Sequence, residues 1–283
     1  MKKIHLLLCL VIICMVGCHS KKKQDATPAP PPTPKDTTII AGVFHFHFDD
    51  FDFWTLQDKQ NTMPATLFPS ADKKILNELM PNGEAESAIN TFLMKKNGQY
   101  ILFDSGLGLD KGGAMLDQLL MLNIKPEDID FVCITHCHGD HIGGMLTNGK
   151  ASFPNAEVYC ADKELKSFQG DKTTQDMLKV YGDRVHRFTA GDTLLGYIVT
   201  HDASGHTPGH TLYEIGPVLV IGDLIHAAAL QIPHPEYCAR YDKDTKKAVA
   251  TRKQVYQYIK DHHKVVAGMH LPYSGVMEKF WEE

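Results

Sequence analysis

Within THCHGDHIGG, residues 135–144, three histidines and one aspartate fall in the six positions from His136 to His141. Imidazole nitrogens and carboxylate oxygens are ligands for divalent metal ions. His136 and His138 are two apart, and in an extended segment such residues face the same side. Two imidazoles therefore converge on one ion from a strand end. Asp140 and His141 follow Gly139, where the backbone turns freely, and can present an oxygen and a nitrogen to a second ion. Gly143 and Gly144 let the chain leave the loop tightly and enter a helix.

One loop cannot complete two coordination shells, so further ligands are expected downstream. DASGHTPGHT offers His206 and His210. VIGDLIH offers Asp223 directly after the apolar run VLVI. VVAGMHLPY offers His270 after another apolar run. Each falls where a strand would open into a loop.

In this order, H-x-H-x-D-H, GHTPGH, a strand followed by GD, and a late strand followed by histidine resemble the motif series of the metallo-β-lactamase superfamily, over residues 104 to 270. The resemblance implies that His136, His138 and His210 hold a first metal. It implies that Asp140, His141 and His270 hold a second, and that Asp223 bridges both. By the same likeness the second histidine of GHTPGH is the ligand, which leaves His206 structural. Asp104, in LFDSG, matches an early strand-end aspartate expected to orient the histidine loop through hydrogen bonds. GKASFPNAEVY, GDLIHAAALQIPHPE and AGMHLPYSG look like the methyl parathion hydrolase branch, whose members include exported hydrolases of phosphotriesters and lactones. His226, three residues past Asp223, stands about where related lactonases carry a tyrosine that donates to the substrate carbonyl. It is a candidate for that catalytic role, or else a histidine of the pocket wall.

A nitrogen and oxygen donor set suits two Zn2+ ions, and also Mn2+, Fe2+ or Co2+. Metal-bound water has its pKa lowered to roughly 7. A hydroxide bridging two ions would attack a carbonyl or phosphoryl centre, with one ion stabilising the developing charge. Asp140 is the candidate to shuttle the proton. The expected activity is a zinc-dependent hydrolysis of small apolar lactones, esters or phosphotriesters. The alternatives are a metallo-β-lactamase acting on β-lactams and a metal-binding sensor without turnover.

These residues need strands to carry them. IIAGVFHFHF and FDFWTL read as β-structure, the second as an edge strand with a solvated face, and NTMPATLFPS as turn-rich. His45 and His47 also show H-x-H spacing, but no aspartate–histidine pair follows, so they are placed on the polar face of a strand opposite Phe44, Phe46 and Phe48. ADKKILNELM reads as a helix capped by Ser70. SAINTFLMKK and QYILFDSG flank Asn97-Gly98, a hairpin signal. GGAMLDQLLMLNI has helical periodicity, with Leu116, Leu119 and Leu120 on one side. FVCIT, AEVYCA, GYIVTHDAS, KVVAGMH and the two halves of TLYEIGPVLVIGDL read as strands, and ADKELKSF, TTQDMLKVY and TKKAVATRKQVYQYIKDHH as helices. Strands dominate each half, with helices between. That predicts an α/β fold in which two mixed β-sheets pack face to face under outer helices, a four-layer αββα sandwich.

The chain of 283 residues is long enough for one such domain, assigned to residues 38–283. Before it, MKK and the apolar run IHLLLCLVIICMVG end at Cys18, and MVGC resembles a bacterial lipobox. Residues 1–17 are expected to be a signal peptide and Cys18 the lipidated residue of an envelope protein. Residues 18–37, rich in lysine and proline, read as a flexible tether. Net charge is −5, and −7 once Lys2 and Lys3 leave with the signal. Without a basic stripe the chain is expected to take a small-molecule substrate and no nucleic acid. Cys133 and Cys160 read as apolar strand residues, and Cys137 as turned away from the ions.

Overall fold

The computed structural model describes residues 37–280. The expected signal peptide, Cys18 and nearly all of the tether lie outside them. The first strand already begins at Thr37.

The chain opens with three antiparallel strands, β1 (Thr37–Ile40), β2 (Val43–Phe48) and β3 (Phe51–Pro64). β3 sits between β2 and a later strand rather than at an edge, because Phe51 and Phe53 project into the core between the sheets. It also runs through Asn61-Thr62-Met63-Pro64, which the sequence suggested as turn. Pairing with the next strand overrides the local turn signal. Helix α1 (Lys73–Leu79) is capped by Asp72, not Ser70, because the Asp72 carboxylate accepts from Lys74 N at 2.7 Å. Strands β4 (Glu84–Lys96) and β5 (Gln99–Phe103) form the hairpin, with Asn97 and Gly98 both at positive φ as a two-residue turn requires. Helix α2 (Met115–Met121) buries Met115 and Leu119, while Leu120 points to solvent. Then come β6 (Ile129–Ile134), the single-turn α3 (Gly139–Ile142), the small hairpin β7 (Leu146–Thr147) and β8 (Lys150–Ala151), and β9 (Glu157–Ala161).

Helices α4 (Asp162–Ser167) and α5 (Lys172–Tyr181) lead to β10 (Val185–Phe188), which lies parallel to β9. The second sheet starts with β11 (Thr193–Leu194), β12 (Ile198–Asp202), β13 (Thr211–Ile215) and β14 (Val218–Val220). Helices α6 (Ala228–Gln231) and α7 (Thr245–His262), then β15 (Val265–Ala267) and β16 (Val276–Met277), complete the described chain.

Eight strands form one mixed sheet in the order β1-β2-β3-β4-β5-β6-β9-β10, and six form the other in the order β11 to β16. Side chains alternate between two apolar layers, as a strand's period of two dictates. Phe92, Met94, Ile101 and Phe103 face the second sheet, whereas Leu93 and Leu102 face the outer helices. Val218 and Val220 face inward from β14, and Leu219 outward toward α7. Burial of each such side chain contributes about 1.5–3 kcal/mol. The layers are therefore α2, α4 and α5, then the two sheets, then α7: the αββα arrangement.

Strand direction makes the site. β5, β6 and β9 run parallel, as do β14 and β15, and two antiparallel steps give β12 the direction of β14. The loops leaving all these strands consequently open at one rim.

Candidate metal centre

Six strand ends deliver the side chains. Asp104 follows β5, the His136–His141 segment follows β6, and Glu164 lies just after β9. His206 follows β12, Asp223 follows β14 and His270 follows β15. Three groups of candidate ligands result: His136, His138, His206 and Asp223; beside them Asp140, His141 and His270; and, sharing His206 with the first, His206, His226 and Asp242. In the first, His206 Nε2 lies 3.2 Å from His136 Nε2 and 3.0 Å from His138 Nδ1, and those two nitrogens are 2.9 Å apart. The Asp223 carboxylate joins the groups. Its Oδ2 is 3.3 Å from His206 Nε2 and 3.2 Å from His270 Nε2, and its Oδ1 is 3.0 Å from His141 Nε2. Asp140 Oδ2 lies 3.6 Å from His270 Nε2 and 3.8 Å from His141 Nε2.

His210 is corrected by these positions. The sequence reading made it a ligand and His206 structural, and the structure exchanges the two. His210 belongs to none of these groups. Its Nδ1 donates to Ala203 O at 3.2 Å, and its Nε2 accepts from Asp223 N at 3.1 Å. Both nitrogens are thus committed to backbone, and the ring fastens the Asp223 loop from behind. Gly222, at φ +51°, makes room for it: a Cβ there would stand 2.3 Å from His210 Nε2.

The outer nitrogens decide which way the lone pairs point. His141 Nδ1 donates to Asp104 Oδ2 at 2.7 Å, His206 Nδ1 to Asp242 Oδ1 at 3.0 Å, and His270 Nδ1 to Ala88 O at 2.8 Å. His136 Nδ1 donates to Thr135 Oγ1 at 3.1 Å, which in turn donates to Asp104 at 2.6 Å. A ring whose Nδ1 carries the proton has its Nε2 lone pair free. Four Nε2 atoms therefore aim lone pairs inward, around a carboxylate. His141 Nε2 and Asp223 Oδ1 are buried 3.0 Å apart, and neither atom makes a hydrogen bond, a costly state for polar atoms without a cation. Burial keeps His138 neutral, with its pKa lowered to about 4. Burial opposes ionisation of Asp223, yet His141, His270 and His136 together hold it well below the usual carboxylate range. Burial likewise opposes a charge on His141 and His270, yet Asp223 and Asp140 raise the pKa of both. Imidazoles gathered around an ionised, shared carboxylate fit a pair of divalent cations.

A second ring of residues holds the first. Asp104 accepts from Thr135 N at 2.7 Å as well as from His141, and occupies the left-handed region at φ +58°. It performs the orienting task expected of it. Glu164, fully buried, accepts from Cys137 N at 3.0 Å and from Thr207 Oγ1 and Gly209 N, both at 2.8 Å. It ties the His136–His138 loop to the His206 loop. Asn90 donates to the carbonyls of Gly268 and Leu271 on either side of His270. Glu164, Asn90 and Asp242 carried no sequence signal of such roles, because each acts on residues far away in the chain.

Gly143 and Gly144 follow the short α3 rather than precede a helix. They are small because Gly143 lies against Leu107 O and Gly144 against Ser105 O, where a Cβ would come within 2.2 and 2.0 Å. Cys137 points away from the ligands, its Sγ 3.9 Å from Cys160 Sγ. His45 and His47 both bond Asp52 at 2.9 Å, away from the centre. His226 is buried, stacks on His270 with ring centroids 5.5 Å apart, and has both ring nitrogens without a partner. Its Nε2 lies 3.5 Å from Asp223 Oδ2, and its open neighbour is Tyr241, 5.7 Å away and 44% exposed.

A model of the metallo-beta-lactamase superfamily matches residues 85–255. The chain is similar to the crystal structure of a hydrolase, AbOPH, in the beta lactamase superfamily, with 29% identity, 84% of this chain and 93% of that chain covered, and a TM-score of 0.76. It shares its fold with AidC, a dizinc quorum-quenching lactonase, at 24% identity, 83% and 92% coverage and a TM-score of 0.76. Among curated proteins, exodeoxyribonuclease WalJ of Streptococcus pneumoniae is 29% identical over 124 residues, 41% of this chain and 43% of that protein. The chain spans about half the length, or less, of the curated relatives it matches.

Proposed function

The chain belongs to the metallo-beta-lactamase superfamily, and from that premise we propose that it is a dinuclear metal-dependent hydrolase of small apolar lactones, esters or phosphotriesters, with zinc as the native metal. The observation that carries this reading is the inward aim of four Nε2 atoms at the Asp223 carboxylate, set by the partner that each outer nitrogen meets.

His136, His138 and His206 would hold one ion, Asp140, His141 and His270 the other, and Asp223 both. Such ions, when bound, supply the acidity that ionises water near neutral pH and the positive charge that polarises a carbonyl or phosphoryl oxygen. The chain's own residues do the rest. Asp140, the more exposed of the two carboxylates at the centre, accepts the proton of the attacking water at Oδ2 and passes it to the leaving group. His226, with free ring nitrogens beside Asp223, donates to the substrate oxygen. Phe168, 5.6 Å from His138, and Tyr241 give the flanks of the centre an aromatic lining suited to an apolar substituent.

We further propose that the protein is exported and anchored at Cys18 in the cell envelope, in support of which stand the charged start, the apolar run and MVGC.

The test is metal content together with a substrate panel. Wild type should carry close to two ions per chain, and chelation should abolish hydrolysis of an aryl ester, a lactone or a phosphotriester. Asp223→Ala should lose at least one ion and nearly all activity. An Asp223→Ala protein that hydrolyses at the wild-type rate removes the shared-ligand assignment. Turnover confined to β-lactams or to DNA would replace the substrate class.

A further inference from the structure

Helix α7 buries Ala248, Arg252, Tyr256 and Ile259. Three of these are what an amphipathic helix requires. Arg252 is not, for it places a cation 1% exposed within a buried stripe. A buried ion pair is weak support for stability, and an apolar side chain of similar volume often serves a core as well or better. The contacts of Arg252 show a different use.

Nε donates to Leu224 O at 2.8 Å, the carbonyl of the residue directly after Asp223. Nη2 donates to Asp242 Oδ2 at 3.2 Å, and the other oxygen of that carboxylate accepts from His206 Nδ1 at 3.0 Å. Nη1 donates to Pro235 O and Tyr237 O, at 2.9 and 3.1 Å, which fixes the loop that carries Asp242. One rigid guanidinium therefore lies a single bond from the residue after Asp223 and two bonds from His206. Those two residues sit in different loops, 17 positions apart in the chain, and their facing atoms are 3.3 Å apart.

We propose that Arg252, acting through Asp242, is a positioning residue for the metal centre: it sets the orientation of His206 and the path of the Asp223 loop together. The inference rests on the metal-centre reading above. A carboxylate behind a ligating imidazole fixes its tautomer and raises its basicity, and changes at such outer partners typically cost about 10–100-fold in metal affinity. The planar fork of arginine reaches several acceptors at fixed angles, which a lysine ammonium cannot reproduce.

The experiment compares wild type, Arg252→Lys, Asp242→Asn and the double variant Asp242→Asn/Arg252→Gln. Zinc affinity is measured by competition with a chromophoric chelator, the visible spectrum is recorded after Co2+ substitution, and thermal midpoints are taken without metal. Each single variant should bind its weaker ion about 10–100-fold less tightly than wild type and alter the Co2+ spectrum. The double variant removes both buried charges, so its metal-free midpoint should return toward wild type while its affinity stays low. It also carries the test if Asp242→Asn does not fold. Recovery of wild-type affinity and spectrum in the double variant overturns the inference and leaves a structural pair. If wild type binds two ions and the variants bind them equally well, this inference alone falls. A wild type that takes up no ion overturns the metal-centre reading and this inference with it.

Discussion

His206 and His210 share one short loop, one residue type and one motif, yet only His206 turns an unoccupied lone pair toward the other ligands. The difference lies in what each outer nitrogen meets. His206 has the Asp242 carboxylate behind it, so the opposite nitrogen faces inward. His210 is spent on two backbone groups. Spacing alone cannot separate them, since in a turn-rich segment either ring can point inward. His206→Ala should therefore lose one ion and nearly all activity, a heavier loss than the roughly 10–100-fold typical of outer residues. His210→Asn should keep close to two ions while losing thermal stability. Elemental analysis and a melting curve on the same preparations decide it, and one ion lost from His210→Asn instead would reverse the assignment.

At the scale of elements, the strands along FVCIT, AEVYCA, VLVI and KVVA were legible because buried strands are short, apolar and followed at once by loop residues. The outline of β3 was less so. Its polar half gains its structure from pairing with β4, whose partner residues lie 20 to 30 positions away. Cross-strand polar ties are similarly invisible in the linear chain. Glu214 on β13 accepts from His201 on β12 at 2.7 Å and from Tyr258 on α7 at 2.7 Å, and pairs with Lys264 at 2.5 Å. Burial alone would raise its pKa, but the bonds from His201, Lys264 and Tyr258 prevail and hold it down to about 2. A carboxylate with a depressed folded-state pKa contributes stability above its unfolded pKa, about 4.3. That contribution is lost as pH falls toward 2. Glu214→Gln should therefore be less stable than wild type at pH 6, with the gap closing between about pH 4.5 and 2. Because the group is partly solvated, the effect should shrink in high salt. Urea midpoints across that range test this, and a gap that is constant with pH would assign the effect to packing instead.

For the whole molecule, attachment and chemistry are separate questions. Among the described residues no helix is long and apolar enough to cross a membrane; the attachment proposed above is through Cys18. Cys18→Ser should move the protein from the detergent-rich to the aqueous phase in a detergent partition while metal content and hydrolysis are unchanged. Retention in the detergent phase would indicate an uncleaved apolar anchor. By itself the sequence determined most of the order of elements, the layered α/β class and a histidine and aspartate donor set suited to metal. Strand and helix periods are local, and H-x-H-x-D-H concentrates its donors within one turn of chain. Only the tertiary structure decided which histidine of GHTPGH faces inward, and that Glu164, Asn90, Asp242 and Arg252 brace the centre. A ring's direction is set by whichever acceptor packs behind it, and those acceptors come from strands and loops that meet only when both sheets have closed.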